Sequence, residues 1–266
     1  MFKEERRRNI LATLERERKV IASELSEALQ ISGDTVRRDL NEMAATGLLK
    51  RVHGGALPPA PTLIPYRVRE QESNAAKAAI AAACVGLLRS GQVIIIDSGT
   101  TALRIAQELP LDLEVTVVTN SVPVLDTLSS HPRVEVIGIG GSLFKDIRCT
   151  VGAQAVSEFR AINADVCILG LNAIHPEVGL CVLEHESMLV KTAMIQGARQ
   201  VVAVTASDKL GTIGPFVFGP LSALTHLVTD SNASEETLAP YHNAGIIVLI
   251  GEVPDRTGEV PDRTAD

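Results

Sequence analysis

The sequence predicts an α/β protein in two parts, a small helical head followed by a larger domain built on a mainly parallel sheet. Three observations point there. From Gln71 onward, short continuous apolar runs alternate with helical patterns, as strands buried on both faces of a covered parallel sheet do. A proline-rich break, Leu57-Pro58-Pro59-Ala60-Pro61 with Pro65 behind it, cannot continue a helix or a central strand. Charge changes sign across that break. Residues 1–57 carry eleven Lys/Arg against nine Asp/Glu, a net of +2, and the remainder carries fourteen against twenty-three, a net of -9. The whole-chain charge of -7 is therefore a sum over two unlike parts and does not exclude a polyanionic partner for the head. The expected boundaries are 1–57 for the head, 58–72 for a linker, 73–250 for the sheet domain and 251–266 for a tail.

Composition removes several classes. A chain of 266 residues, 45% hydrophobic, has ample apolar mass for a core. It contains no run of about eighteen apolar residues, so no membrane span is expected. Its start, Met1 to Arg8, is charged and lacks the apolar stretch of a secretory signal. Cysteines 84, 149, 167 and 181 form no C-x-x-C pair and read as buried thiols of a reduced, cytoplasmic protein. The six histidines, His53, His131, His175, His185, His226 and His242, show no i, i+4 pairing and no cysteine partner, so no metal is expected. With neither G-x-G-x-x-G nor G-x-x-x-x-G-K-[ST], no nucleotide cofactor is expected.

In the head, Ile10, Leu11 and Leu14 form an apolar stripe on a charged helix, Glu4 to Glu17. A short second helix, Ala22 to Leu29, buries Leu25 and Leu29. Gln30-Ile31-Ser32-Gly33 is a turn whose Ser32 suits an N-cap. A third helix, Asp34 to Ala45, places Val36, Leu40 and Met43 inward and stops at Gly47. Two short helices joined by a brief turn have the proportions of a helix-turn-helix. The outward face carries Asp34, Thr35, Arg37, Arg38 and Asn41: arginine forks that grip phosphates or guanine edges, beside Asn and Thr that can read bases. Leu48 to Gly55, with Lys50, Arg51 and His53, reads as a basic wing strand ending in a glycine turn. A solvated helical surface is the alternative for any one of these residues. The ordered series favours a reader of double-stranded DNA.

In the large domain, helices are expected at Ser73–Leu88, Thr101–Leu109, Val122–Ser129, Val151–Ile162, Glu186–Gly197 and Ser234–Ala244. Strands are expected at Val93–Ile96, Val115–Val118, Val134–Ile139, Val166–Leu169, Val201–Val204, Leu224–Val228 and Ile246–Ile250. Ligands of such sheets bind beyond the carboxyl ends of the strands. There the sequence reads Asp97-Ser98-Gly99-Thr100-Thr101, then Thr119-Asn120-Ser121, then Gly140-Gly141-Ser142, and Ser207-Asp208-Lys209-Leu210-Gly211. Hydroxyl residues and glycine at a helix start present amide N–H groups and the positive dipole end, which suits a phosphate or carboxylate, and Lys209 adds a full charge. Ser98 and Ser121 as ordinary N-caps, Gly140-Gly141 as a turn and Lys209 as a surface lysine remain open alternatives.

These residues carry a resemblance. Ile31-Ser32-Gly33-Asp34-Thr35-Val36-Arg37-Arg38-Asp39-Leu40, then Gly47-Leu48 and Arg51-Val52-His53-Gly54-Gly55-Ala56, resemble the DeoR-type bacterial repressors. Asp97 to Thr101, Thr119 to Ser121, Gly140-Gly141, Gly152, Asp165, Gly170, Gly179, Glu186 and Lys209-x-Gly211 resemble the effector domain of the same family. The resemblance implies that Arg37 and Arg38 contact DNA and that Asp39 is structural. It also implies a fold similar to ribose-5-phosphate isomerase and CoA-transferase domains, and a phosphorylated sugar or polyol as effector. The sequence departs from the family pattern at Cys167-Ile168, where an aromatic is common, and at Ala206, where an Asp is common.

The expected function is a carbohydrate-operon repressor acting as a homo-oligomer, dimer or tetramer. The alternative is a sugar-phosphate isomerase or acyl transferase using Asp97, Glu184, Glu186 or Asp208 as base or nucleophile. The tail repeats Gly251 to Thr257 at once as Gly258 to Thr264 and reads as a disordered extension.

Overall fold

The computed structural model describes residues 2–17, 19–59, 64–72 and 74–253. The head comprises α1 (Lys3–Glu17), β1 (Val20–Ile21), α2 (Ala22–Ala28), α3 (Gly33–Ala45), β2 (Lys50–Val52) and β3 (Gly55–Leu57). Its core is Ile10, Leu14, Leu25, Val36, Leu40, Met43 and Leu49, joined by Val20 and Ala56. Strands pair in the order β1-β3-β2, so the wing is a hairpin completed by two residues from before α2. Helix α3 ends in a Schellman turn. Gly47 takes φ 75, its N–H donates to the Ala44 carbonyl, and the Leu48 N–H donates to that of Met43.

The large domain follows as α4 (Tyr66–Gln71), α5 (Asn74–Val85), β4 (Val93–Ile96), α6 (Thr100–Gln107), β5 (Val115–Thr119), α7 (Val122–Leu128) and β6 (Val134–Gly138). Next come β7 (Ser142–Phe144), β8 (Cys149–Val151), α8 (Ala153–Arg160), β9 (Ala164–Gly170), β10 (Ala173–His175) and β11 (Gly179–Val182). Last are α9 (His185–Gln196), β12 (Ala198–Val204), β13 (Phe216–Gly219), β14 (His226–Asp230), α10 (Glu235–Asn243) and β15 (Ile247–Gly251).

Seven strands form one wholly parallel sheet in the order β15-β14-β12-β9-β4-β5-β6. Alternate residues of each strand feed opposite cores. Ile94, Ile96, Val166 and Ile168 pack with α5, α6 and α7, whereas Ile95, Cys167, Leu169 and Ala203 pack with α8, α9 and α10. That two-sided burial is why the strands read as unbroken apolar runs. All four cysteines are free and buried, and burial pushes the Cys84 thiol up to about 12.

Several expectations are corrected. The segment 58–72 is not all linker: Tyr66–Gln71 is helical, and Tyr66 is buried with its N–H on the Asp146 carbonyl at 3.2 Å. Residues 60–63 of it lie outside the described residues. Cys149–Val151 is a strand, and the helix expected from Val151 starts at Ala153, past Gly152 at φ 99. Strands β10, β11 and β13 make a small antiparallel sheet too short and broken to show as a pattern. The last strand reaches Gly251, one residue into the expected tail, and residues 254–266 lie outside the described residues.

Head and sheet domain touch. Leu57 is buried against Ala173, Cys181 and Ile213 of the small sheet region, with Val52 and Val178 beside it.

Phe159 is completely buried in the core beneath α8 and α9. Phe159→Ala should cost about 3–5 kcal/mol, read as a lowered urea midpoint with an unchanged slope.

Candidate anion cavity and nucleic-acid interface

In the head, Ser32 is the N-cap of α3: its Oγ accepts from the Thr35 N–H at 3.3 Å and lies 2.9 Å from Thr35 Oγ1. Asp34, Arg37, Arg38 and Asn41 are exposed along one face of α3, and Thr35 is half-buried. Arg37 meets Asp34 at 3.2 Å on open surface, a contact too solvated to hold it away from another anion. Arg51 ties the wing to this helix, donating to Asn41 Oδ1 at 3.1 Å and to the Gly55 carbonyl. Lys50 and His53 are exposed on the same hairpin.

Asp39 is turned inward, nearly fully buried, and receives two bonds from Arg6 of α1 at 2.6 and 3.1 Å. Lys3 and Arg7 converge on Glu42 one turn later. Acidic side chains of α3 thus pin α1, leaving its arginines outward.

The sheet sets the position of the second site. Strands β4, β5 and β6 run outward to one edge, while β9, β12, β14 and β15 run outward to the other. Connections therefore leave in opposite senses between β4 and β9, and a crevice opens beyond their carboxyl ends. A cavity of about 240 Å³ lies there. It is lined by Ser98–Thr101 after β4, Gly170–Asn172 after β9, Val204–Ala206 after β12, and Lys209. Gly99 begins α6 at φ 113, a conformation that favours glycine. Amides of the first helical turn have no carbonyl one turn earlier to bond.

The turn carrying Lys209 is fixed at both ends. Asp230 accepts from the Ser207 N–H at 2.8 Å and the Ser207 hydroxyl at 3.0 Å. The Gly211 N–H donates to the Tyr241 hydroxyl at 3.1 Å. Lys209 itself is paired with Asp208.

Of the expected anion residues, Ser98, Gly99, Thr100, Thr101 and Lys209 come together. Asp97 lies beneath the cavity, buried, accepting from Lys191 of α9 and from the Gly170 N–H at 3.0 Å. Lys191 also donates to the Gly170 carbonyl at 2.9 Å. Asn120, Ser121, Gly140 and Gly141 do not line the cavity. The Asn120 side chain donates to the Thr150 carbonyl at 2.7 Å, holding the β7–β8 hairpin. Ser121 caps α7 by accepting from the Val124 N–H at 3.4 Å. The Gly140 N–H is taken by the Glu158 carboxylate at 3.3 Å, and Gly141, at φ 133, lies against the Val151 carbonyl.

Sequence reasoning missed Arg69, Lys77, Asn172, Ser187 and Lys191, which line the cavity together with Glu184, expected only as a candidate of the enzyme alternative. Burial pushes the Glu184 carboxyl up, while Ser187, Lys191 and Arg69 pull it down. Lys77 donates to the carbonyls of Arg69 and Glu72 at the end of α4. Pro65 ahead of Tyr66 was the available signal, since proline commonly precedes or opens a helix.

A head with an outward arginine face and a domain with a part-open cavity lined by polar and charged side chains fit a ligand-responsive DNA-binding regulator. Residues 6–62 match the DeoR-like helix-turn-helix domain and residues 72–231 the DeoR C terminal sensor domain. The HTH-type transcriptional regulator GlpR of Haloferax volcanii is 32% identical over 255 residues, 94% of this chain and 99% of that one. The HTH-type transcriptional repressor GlcR of Bacillus subtilis is 29% identical over 254 residues, 95% of this chain and 98% of that one. The L-fucose operon activator of Escherichia coli is 29% identical over 210 residues, 77% and 86% of the two chains. A ribose 5-phosphate isomerase from Methanocaldococcus jannaschii matches 52% of this chain and 53% of its own at 16% identity, TM-score 0.37, too slight a likeness to bear on ligand or activity. The chain belongs to the DeoR family of transcriptional regulators. Among the described residues, no helix is long and apolar enough to cross a membrane.

Removing Lys191 strands the buried Asp97 carboxylate. Lys191→Met should cost about 3–5 kcal/mol by urea denaturation, and adding Asp97→Asn should recover part of that loss.

Proposed function

We propose that this chain represses a carbohydrate-metabolism operon and that a phosphorylated sugar or polyol in the cavity sets its DNA affinity. The observation that carries the reading is the meeting of the first turn of α6, Gly99 to Thr101, with Lys209 on one cavity wall. Such an arrangement suits a phosphate, combining backbone N–H donors, the helix dipole and a cation. At about 240 Å³ the cavity is smaller than the roughly 300–1,000 Å³ of drug-sized sites, which suits a small metabolite. Asn172, Ser187 and Glu184 supply partners for hydroxyl groups.

A binding role fits the carboxylates better than a catalytic one. Asp97 is engaged by Lys191, Asp208 by Lys209, and Glu186 is exposed on α9. Glu184 lies beside Ser187, Lys191 and Arg69, a setting that suits the binding of hydroxyl groups.

On DNA, the exposed face of α3 reads the major groove while Lys50, Arg51 and His53 of the wing meet the backbone. A head of net +2 implies modest non-specific affinity, so a dimer or tetramer supplies much of the specific binding. Two heads then address half-sites about 34–36 Å apart, or multiples of that. The effector acts by binding the DNA-competent and DNA-incompetent arrangements unequally.

In gel shifts on the chain's own promoter region, Arg37→Ala with Arg38→Ala should weaken binding by tenfold or more, since each such contact is worth about 1–3 kcal/mol. Unchanged binding would contradict the reading. In a thermal-shift screen of sugar phosphates, at least one should stabilise the wild type, and Lys209→Ala should lose most of that shift.

A further inference from the structure

The cavity has a wall that does not belong to the sheet domain's strand ends. Ile64 and Arg69, from the segment joining head and sheet domain, both line it. Arg69 is held there from several sides. Its Nε donates to the Ile64 carbonyl at 3.0 Å, and its guanidinium lies 5.8 Å from the Tyr66 ring centre. Tyr66 is itself packed under Arg148, 5.6 Å away, and bonded through its N–H to Asp146. Lys77 of α5 closes the end of α4 by donating to the Arg69 and Glu72 carbonyls. Thus the arginine is held through its backbone and its Nε while its side chain lines the cavity.

One of those nitrogens, Arg69 Nη2, is buried without a hydrogen-bond partner, and so is Glu184 Oε1 on the same cavity. Buried polar atoms without a hydrogen bond are costly, so these two at one cavity mark a place where a ligand completes them. A guanidinium wants an oxyanion and a carboxylate wants a donor. A molecule with an anionic end and hydroxyl groups satisfies both at once.

We propose that Arg69, carried on the interdomain segment, is an anion ligand of the effector site, so that occupancy is felt by the chain that leads to the wing. This rests on the reading of the cavity as a sugar-phosphate site. Going back from Arg69 along the chain, the next described anchor is Leu57 at the end of the wing hairpin, buried against Ala173, Cys181 and Ile213. An effector bound to Arg69 is thereby held by a residue of the chain that joins the wing to the sheet domain, and residues 60–63 of that chain lie outside the described residues. No separate relay between the two sites is needed.

The test uses the full chain, with inorganic phosphate and a panel of triose, pentose and hexose phosphates as probes. Calorimetric titration of wild type, Arg69→Ala and Arg69→Lys is paired with amide hydrogen exchange over residues 64–72. The expected result is a probe that binds the wild type, binds Arg69→Ala roughly tenfold or more weakly, and is partly restored by Arg69→Lys. The same probe should slow exchange in 64–72. The circular-dichroism spectrum and urea midpoint of Arg69→Ala and Arg69→Lys, compared with wild type, show that both fold. Binding within about twofold of wild type, or no change of exchange in 64–72, would overturn the proposal while leaving the cavity reading intact. Failure of every probe to bind the wild type would instead sink the cavity reading and this proposal with it.

Discussion

The sensor half of the molecule depends on the ion pair that closes the sheet's reversal point. Between β4 and β9 the strand ends diverge, and polar backbone there must be satisfied without filling the crevice. Asp97 and Lys191 do this together: the carboxylate takes the Gly170 N–H and the ammonium takes the Gly170 carbonyl. One pair thereby joins β4, β9 and α9 at a single level. The residues that follow it in the chain, Ser98 to Thr101, line the cavity. A buried pair of this kind contributes little net stability compared with apolar packing, but losing one partner is expensive. Its value here is positional, because it forms a polar floor on which a cavity can rest.

The head is organised by a parallel logic on a smaller scale. Buried Asp39 and half-exposed Glu42, both on α3, receive Arg6, Arg7 and Lys3 of α1. Lys3, Arg6 and Arg7 are thereby occupied, whereas Arg37 and Arg38 stay on the open face. Arg51, bridging Asn41 and the Gly55 carbonyl, fixes the wing relative to that face. Continuing through Leu57, the wing is packed on the sheet domain, so reading face, wing and sensor form a connected set of contacts. A DeoR-family regulator needs such a path, since a ligand acts only through differential contact with two arrangements.

Legibility from sequence followed the range of the interactions involved. Helices of the head and the seven parallel strands showed because their cause is local: a 3.6-residue stripe such as Val36, Leu40 and Met43, or a run such as Val93 to Ile96 buried on both faces. The string from Ser32 to Leu40 was specific enough to point to the family. Sheet order was not legible, and the site expectation suffered there. Polar ends after β4, β5, β6 and β12 looked equivalent in sequence, but only those after β4 and β12 border the crevice. Asn120 Nδ2, Ser121 and Gly140 instead bond the Thr150 carbonyl, the Val124 N–H and the Glu158 carboxylate, with Asn120 Oδ1 left unpartnered away from the crevice. Arg69 was hidden for a different reason, because prolines around it argued for a spacer while Tyr66 anchors a helix there.

The central claim is that the phosphate of a small effector sits on the first turn of α6 at the β4–β9 crevice, in the cavity that Lys209 also lines. A crystal structure of the full chain with its tightest-binding sugar phosphate tests this most directly. The account predicts phosphate oxygens within hydrogen-bond reach, about 2.7–3.2 Å, of the Gly99 to Thr101 amides. A phosphate seated instead at Asn120-Ser121 or Gly140-Gly141, or outside the cavity, would contradict it.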